Sequence, residues 1–300
     1  MTTTLLTNLH KKLKMKKIIF LLTTLLLAAP SAFAHDFSVV VPGGRTLYFN
    51  IVNSSEVSVT YPGSYSDYYS GYTKPTGNLA IPSTVTNGSI TYSVTSIGNS
   101  AFENCSDLTS VTIPDGVTSI GECVFLGCSS LTSIFIPGSV TSIGSNAFSG
   151  CSSLASIIIP GSVTSIGMNA FGCCTSLSSV SIRDSVTSIG SSAFYGCTSL
   201  ASISIPGSVT SIGYETFRDC ASLSSVIIPG SVASIGDYAF YNCSSLAEVF
   251  YAGSAADWSS ITVGEGNDHL TSATRYFYSE EKPTESGNYW RYVDGVPTVW

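Results

Sequence analysis

Residues 131–153 read LTSIFIPGSVTSIGSNAFSGCSS, and this pattern returns along the chain at a fixed interval of 23 residues. Three columns of the repeat run without insertion or deletion. They are Leu108, Leu131, Leu154, Leu177, Leu200, Leu223 and Leu246; Phe102, Phe125, Phe148, Phe171, Phe194, Phe217 and Phe240; and Cys105, Cys128, Cys151, Cys174, Cys197, Cys220 and Cys243. A unit of this length cannot bury its own apolar face and must stack on its neighbours, so the period predicts a solenoid.

Each unit is predicted to form one coil. Residues 131–136 alternate between apolar and polar side chains, which is typical of a strand with one buried face. The Pro-Gly pair of residues 137–138 favours a turn, and residues 140–143 form a second short extended piece. Gly144 then releases the chain into one turn of helix at residues 145–148. The residue before the column cysteine is Gly or Asn in five of the seven units, which predicts a left-handed cap.

The motif LTSxxIPxSVTSIGxxAFxGCSS resembles the BspA-like, treponemal-type leucine-rich repeat over residues 79–251. The resemblance implies a leucine-rich repeat solenoid, mostly β with short helical turns on the convex side, whose 23-residue coils form a parallel concave sheet with non-repeat caps at both ends. Members of this family are associated with bacterial surface proteins and adhesins and are generally not enzymes. The family carries no catalytic motif, so the resemblance implies no active-site residue.

The start of the chain is predicted to be an export signal. Residues 1–34 combine the basic segment Lys11–Lys17, an apolar run of 12 residues and the small-residue site Ala32–Ala34. This order is typical of a secretory signal peptide, whereas a membrane span needs about 20 apolar residues. A secreted or cell-surface location is therefore predicted, with no membrane span after cleavage of the signal.

Both flanks of the repeats are predicted to be caps. Residues 35–78 contain two strand-like runs joined at Asn53–Ser55, which predicts a hairpin in an N-terminal β cap. Residues 252–300 are predicted to hold one degenerate last coil and a C-terminal cap that ends in a hairpin at Asp294-Gly295. Five Tyr in residues 61–78 and all three Trp in residues 252–300 leave an aromatic ligand platform as the alternative in each place.

Composition excludes several classes of function. Residues 35–300 carry 7 basic and 19 acidic side chains, a net charge of −12, and nucleic-acid binding needs clustered Lys and Arg instead. The three His lie outside the regular coils, no CxxC pair occurs, and the carboxylates are scattered. The sequence therefore predicts no catalytic site, no metal site and no cofactor.

The nine Cys raise the question of a disulfide framework. Seven of them share one interior column, where neighbouring side chains point the same way and meet a disulfide's geometry poorly. Buried free Cys behaves as a small apolar residue, so free thiols are predicted in this column. Cys123 and Cys173 lie outside it and are predicted to be more exposed.

The outward side chains of the concave sheet are the candidate binding surface, because repeat sheets commonly use this face for ligands. Apolar residues interrupt its serine column, and Phe135 and Ile158 are neighbours on consecutive coils. The predicted ligand-binding residues are Ser133, Phe135, Ser156, Ile158, Ser179, Ile227 and Phe250. Two hypotheses remain open: an adhesin-like protein that binds an extracellular protein or glycan, or a structural surface or matrix rod without a specific ligand.

Overall fold

The computed structural model describes residues 35–63 and 69–300, and the predicted signal peptide at residues 1–34 lies outside them. The described chain begins with an antiparallel meander of β1 (Phe37–Val41), β2 (Arg45–Ile51) and β3 (Glu56–Thr60). The hairpin predicted between β2 and β3 is confirmed. β3 then pairs in parallel with β6 (Ile90–Ile97), so the meander covers the first strand edge of the solenoid.

The coils contribute two rows of strands. The front row comes from the L-x-x-I-x-I part of each unit and consists of β4 (Gly77–Ala80), β7 (Leu108–Thr112), β9 (Ser133–Phe135), β11 (Ser156–Ile158), β13 (Ser179–Ser181), β15 (Ser202–Ser204), β17 (Ser225–Pro229), β19 (Glu248–Ala252) and β21 (Thr274–Tyr278). Paired neighbours in this row are parallel, and from β7 to β19 their register is one repeat, as in Ser110 opposite Ser133. The predicted parallel sheet is divided into three hydrogen-bonded groups, β4–β7–β9, β11–β13 and β15–β17–β19–β21.

The rear row comes from the S-I part of each unit, where only two residues pair per coil. It consists of β6, β8 (Ser119–Ile120), β10 (Ser142–Ile143), β12 (Ser165–Ile166), β14 (Ser188–Ile189), β16 (Ser211–Ile212), β18 (Ser234–Ile235) and β20 (Thr262–Val263). β5 (Thr84–Asn87) adds an antiparallel hairpin to β6. This hairpin follows the Asn87-Gly88 signal, and Gly88 has the positive φ of 62° that such a turn requires.

The third side of each coil is a series of tight turns. All seven residues that precede a column cysteine have positive φ, so the predicted left-handed cap is confirmed even at Cys173 and Asp219. A second left-handed position recurs four residues earlier, at Ser100, Cys123, Asn146, Asn169, Ser192, Glu215 and Tyr238. It interrupts the single helical turn predicted at residues 145–148, and the chain instead makes separate turns such as the Ala147 N–H to Gly144 C=O bond of 3.3 Å.

The interior is one continuous core built from the repeated columns. Seven Phe rings stack along the solenoid with neighbouring ring centroids 5.2–5.6 Å apart and interplanar angles of 1–26°. All seven rings are fully buried. Stacked aromatic pairs stabilise a core beyond the effect of their buried area, so this column ties each coil to the next.

The C-terminal part continues the solenoid by one irregular coil and then closes it. This coil holds the helices α1 (Ala255–Ser259) and α2 (Asp268–Ser272), together with β20 and β21. In the regular coils the Phe N–H donates to the C=O of the residue before the Phe of the following coil, as Phe217 does to Ala239. At the last coil the buried Asn267 side chain takes the place of that carbonyl, because it accepts the Phe240 N–H at 2.9 Å and donates to the Gly236 C=O at 2.9 Å. β22 (Tyr289–Val293) then extends the front row, and β23 (Val296–Val299) pairs with it in the predicted terminal hairpin.

Candidate functional site

The front row presents a face of alternating small hydroxyl and apolar side chains. Ser133 and Phe135 point outward from β9, while Ile134 between them packs against the core. Ser156 and Ile158 repeat this arrangement on β11. Phe135 is 68% exposed and Ile158 is 64% exposed, although burial of such side chains contributes about 1.5–3 kcal/mol each. These are the two most exposed side chains of the front row among the large apolar residues.

A shallow depression of about 250 Å³ lies at this pair of coils. Its lining includes Ser133, Phe135, Ser156 and Ile158, with Pro160 at the turn. Phe135 and Ile158 line the same depression on adjacent coils, so the two apolar side chains form one patch flanked by serine hydroxyls. Four of the seven predicted binding residues therefore lie together.

The three other predicted residues, Ser179, Ile227 and Phe250, line a different groove of about 480 Å³. Its floor is the front row from β13 to β19, including Glu248, and its wall is Val296 and Pro297 of the terminal hairpin. The structure thus separates the candidate residues into an open patch and a walled groove on the same face.

The terminal hairpin reaches back over the front row through Tyr292. Its hydroxyl interacts with the Ser204 side chain, and the pKa of Tyr292 is raised by burial, by Tyr278 and by Asp184. Asp184 belongs to the coil of β13, five strands away from β22 along the front row, so the hairpin bends over this face instead of extending it flat.

Phe250 corrects the prediction of an exposed outward column. It lies in register with Ile227, but only 6% of its side chain is exposed. Its ring stacks on Tyr276 at 5.2 Å and meets Trp290 edge-on at 5.6 Å. The cap covers most of this ring, so Phe250 contributes to the fold of the C-terminal end and presents only a small part of its surface to the groove.

Three aromatic residues of the described flanks pack as parts of the caps, whereas Tyr65 and Tyr68 of the predicted tyrosine cluster lie outside the described residues. Tyr69 is buried, and its hydroxyl donates to the Ala101 C=O at 2.7 Å. Trp290 is fully buried, and its Nε1–H donates to the Tyr251 C=O at 2.9 Å. Trp258 packs edge-on against the same Tyr251 at 5.2 Å. These contacts favour the cap interpretation over a ligand platform for these three rings.

The cysteine column lies in the core, and all nine Cys are free thiols in the structure. From Cys128 onward, each column thiol donates to the carbonyl oxygen of the Phe in the preceding coil, at 3.1–3.2 Å. Burial raises the pKa of Cys105, Cys174 and Cys243 to about 12. Only thiolates react as nucleophiles, so these groups are chemically inert in the folded protein.

Alkylation should therefore separate two classes of thiol. In the folded protein at pH 8, the exposed Cys173 is expected to react first and the half-buried Cys123 more slowly. In denaturant without reductant, mass spectrometry is expected to count seven or more alkylated groups per chain. Three or four disulfide bridges per chain would contradict the arrangement of the column.

The stacked coils, with two rows of parallel strands and one L-x-x-I-x-I strand per repeat, define a leucine-rich repeat solenoid. The family model of the BspA type leucine rich repeat region matches six copies, over residues 82–185 and 164–262. These residues are more than half of the 300-residue chain. The chain belongs to the BspA-type leucine-rich repeat family, which is a non-enzymatic repeat family.

Solved structures of bacterial leucine-rich repeat proteins share this fold. The T. pallidum leucine-rich repeat protein TpLRR is 26% identical with a TM-score of 0.56, and the match covers 73% of this chain and 90% of that one. A leucine-rich repeat protein from Bacteroides ovatus is also 26% identical, with a TM-score of 0.53 and coverage of 81% and 79%. A comparison with curated proteins finds no match. Within residues 35–63 and 69–300, no helix has the length and apolar character of a membrane span.

Proposed function

We propose that this protein is an exported interaction protein that binds an extracellular protein or glycan through its front row. The observation that carries the proposal is the exposed pair Phe135 and Ile158 on adjacent coils. Large apolar side chains on a water-facing sheet reduce solubility, and a contiguous pair of them is typical of an interaction site. The pattern of residues 1–34 supports export, and family membership supports a general interaction role.

The surroundings of the patch favour a polar, uncharged ligand surface. Ser133 and Ser156 are exposed beside the apolar pair and offer hydroxyl groups as both donors and acceptors. No charged side chain lines the depression, as far as the structure describes the chain. A ligand that buries an apolar group on Phe135 and bonds to the serines fits this chemistry, as the exposed face of a protein or a sugar ring does.

The proposal predicts a loss of affinity in Phe135→Ala. An aromatic anchor at the centre of an interface commonly carries about 2 kcal/mol, so the variant should bind about thirtyfold more weakly. The measurement is a binding titration of the ligand obtained by screening the purified protein against glycan arrays and panels of secreted and surface proteins. The variant should remain as stable as the wild type, because this ring lies outside the core.

Thr141→Ala is the matched control. Thr141 is exposed beside the rear row, where its hydroxyl donates to the Thr118 C=O at 3.1 Å. It should bind like the wild type. Equal affinities of the Phe135 and Thr141 variants would place the binding surface elsewhere. If the screens yield no ligand at all, the structural-rod hypothesis is favoured.

A further inference from the structure

A second concavity lies in the N-terminal cap, away from the front-row patch. It has a volume of about 380 Å³ and is enclosed by the start of β2 and by the segment that leads into β4. Two cations line it, Arg45 from β2 and Lys74 from the segment of residues 71–76. Only 7 basic residues follow position 34, against 19 acidic ones, so two cations in one pocket are a marked local departure from the charge of the chain.

The Arg45 side chain is held in a fixed place. Its Nε donates to the Thr76 C=O at 2.8 Å. A Cβ at Gly43 would lie 2.5 Å from its Nη1, and a Cβ at Gly77 would lie 3.2 Å from its Nη2. Both glycines have positive φ, so side chains are disfavoured there for two reasons. The guanidinium therefore lies between the backbone of two glycines. The N–H groups of its Nη atoms remain available as hydrogen-bond donors to a further partner.

Lys74 is anchored in the same way, and its Nζ donates to the Asn104 C=O at 3.0 Å. An ammonium group has three donors, so two remain after this bond. Within residues 35–63 and 69–300, neither Arg45 nor Lys74 lies within 4.0 Å of a carboxylate, whereas Arg218 pairs with both Glu215 and Asp219. The pocket thus offers two positioned cations that have no carboxylate partner in the described part of the chain.

The rest of the lining is suited to a sugar. Thr46, Thr73 and Thr76 contribute hydroxyl or backbone groups, and Tyr48 and Tyr72 form a wall with their rings edge-on at a centroid distance of 5.6 Å. The volume lies within the range of small-molecule sites. Rigid rings pack against the C–H faces of a pyranose, while hydroxyls satisfy its polar edges.

We propose that this pocket binds an acidic saccharide, with the carboxylate of a uronic acid received by Arg45 and Lys74. A guanidinium fork matches the two oxygens of a carboxylate, and charge-assisted hydrogen bonds are about twice as strong as neutral ones. The negative charge of the whole chain opposes binding only weakly, because the Debye length is about 8 Å at physiological ionic strength. The site is independent of the front row and adds a second ligand class to the protein.

Calorimetric titration of the purified protein with D-glucuronate, D-glucose and sodium sulfate tests the assignment. Glucuronate should bind, and glucose, which lacks the carboxylate, should bind at least about tenfold more weakly. Sulfate should also bind more weakly than glucuronate, because it has no ring to contact the tyrosines. Equal binding of glucuronate and glucose would overturn the anion site, and equal binding of glucuronate and sulfate would overturn the saccharide assignment.

Single substitutions test whether glucuronate binds in this pocket. Arg45→Gln and Lys74→Gln should each weaken glucuronate binding about tenfold or more, and Lys282→Gln, which removes an exposed cation in the C-terminal cap, should leave it unchanged. Lys74→Gln serves as the second variant if the loss of the Thr76 contact lowers the melting temperature of Arg45→Gln. If all three variants bind glucuronate alike, the pocket is not the site. Phe135→Ala should bind glucuronate normally, so failure of one proposal leaves the other intact.

Discussion

Replacing Phe148 with alanine is expected to lower the free energy of unfolding by about 3–5 kcal/mol, as for other deletions of a buried ring. Phe148 is fully buried. Its ring lies between Phe125 and Phe171, with both centroid distances at 5.3 Å. Removing it breaks two stacking contacts and leaves a cavity in the middle of the column, where neither adjacent coil is able to collapse without moving its own partners.

The same coil supplies the control for this experiment. Phe135→Ala removes an identical side chain from the exposed face, and its effect on stability should stay within about 0.5 kcal/mol. Urea unfolding followed by circular dichroism compares the two variants under one set of conditions. Unfolding midpoints of Phe148→Ala and wild type that coincide would mean that the stacked column does not hold the coils together.

The parts of the fold that were predictable from the sequence are those that rest on short-range or strictly periodic signals. The columns of Leu, Phe and Cys predict stacked coils because a side chain that recurs every 23 residues must meet its own kind in the next coil. The hairpins at Asn87-Gly88 and Asp294-Gly295 follow from residues that accept positive φ. In the hairpins the physical cause acts within a few residues, and in the columns it recurs at every coil.

The second column of left-handed residues was not predicted from the sequence, because neighbouring coils impose its conformation. Its members include Ser100, Glu215 and Tyr238, whose types do not favour positive φ. Each is held by a bond to the following coil, as in the Asn146 N–H to Met168 C=O bond of 2.8 Å. Only the two Asn in this column hint at the geometry, since Asn tolerates it better than most residues do.

Only the part of the candidate site that the repeats form was predictable from the sequence. Phe135 and Ile158 are exposed because strand alternation alone decides which way they point. Phe250 obeys the same alternation but is covered by Trp290, which lies 40 positions further along the chain. A periodic pattern reports the orientation of a side chain and contains no information on what folds over it. For the same reason, the pocket at Arg45 and Lys74 was not predicted, since its residues come from non-repeat segments.

The recurring glycine after each S-I pair has a different cause from the one predicted. A turn follows Gly144 as expected, but Gly144 does not have positive φ, so the turn itself does not require glycine. The coils approach each other closely at this column instead. A Cβ at Gly144 would lie 2.5 Å from both the carbonyl carbon and oxygen of Gly121 and 2.7 Å from the Glu122 nitrogen. All three atoms belong to the backbone of the preceding coil, which has no flexible side chain to move aside.

Gly144→Ala is therefore expected to destabilise the protein by about 3 kcal/mol, the upper part of the usual range for overpacking, because a single methyl group must push two coils apart. Gly138→Ala is the matched control in the same coil, since its Cβ would meet nothing within 4 Å, and its effect should be neutral or slightly stabilising. Gly213→Ala provides an intermediate case, because its Cβ would come no closer than 3.4 Å, to the Ser191 Oγ. Urea unfolding should rank the losses of stability in the order Gly144, Gly213, Gly138. If Gly144→Ala were as stable as Gly138→Ala, the coils would be able to move apart and accommodate a side chain. The repeated glycine would then have to be explained by the conformation of the turn.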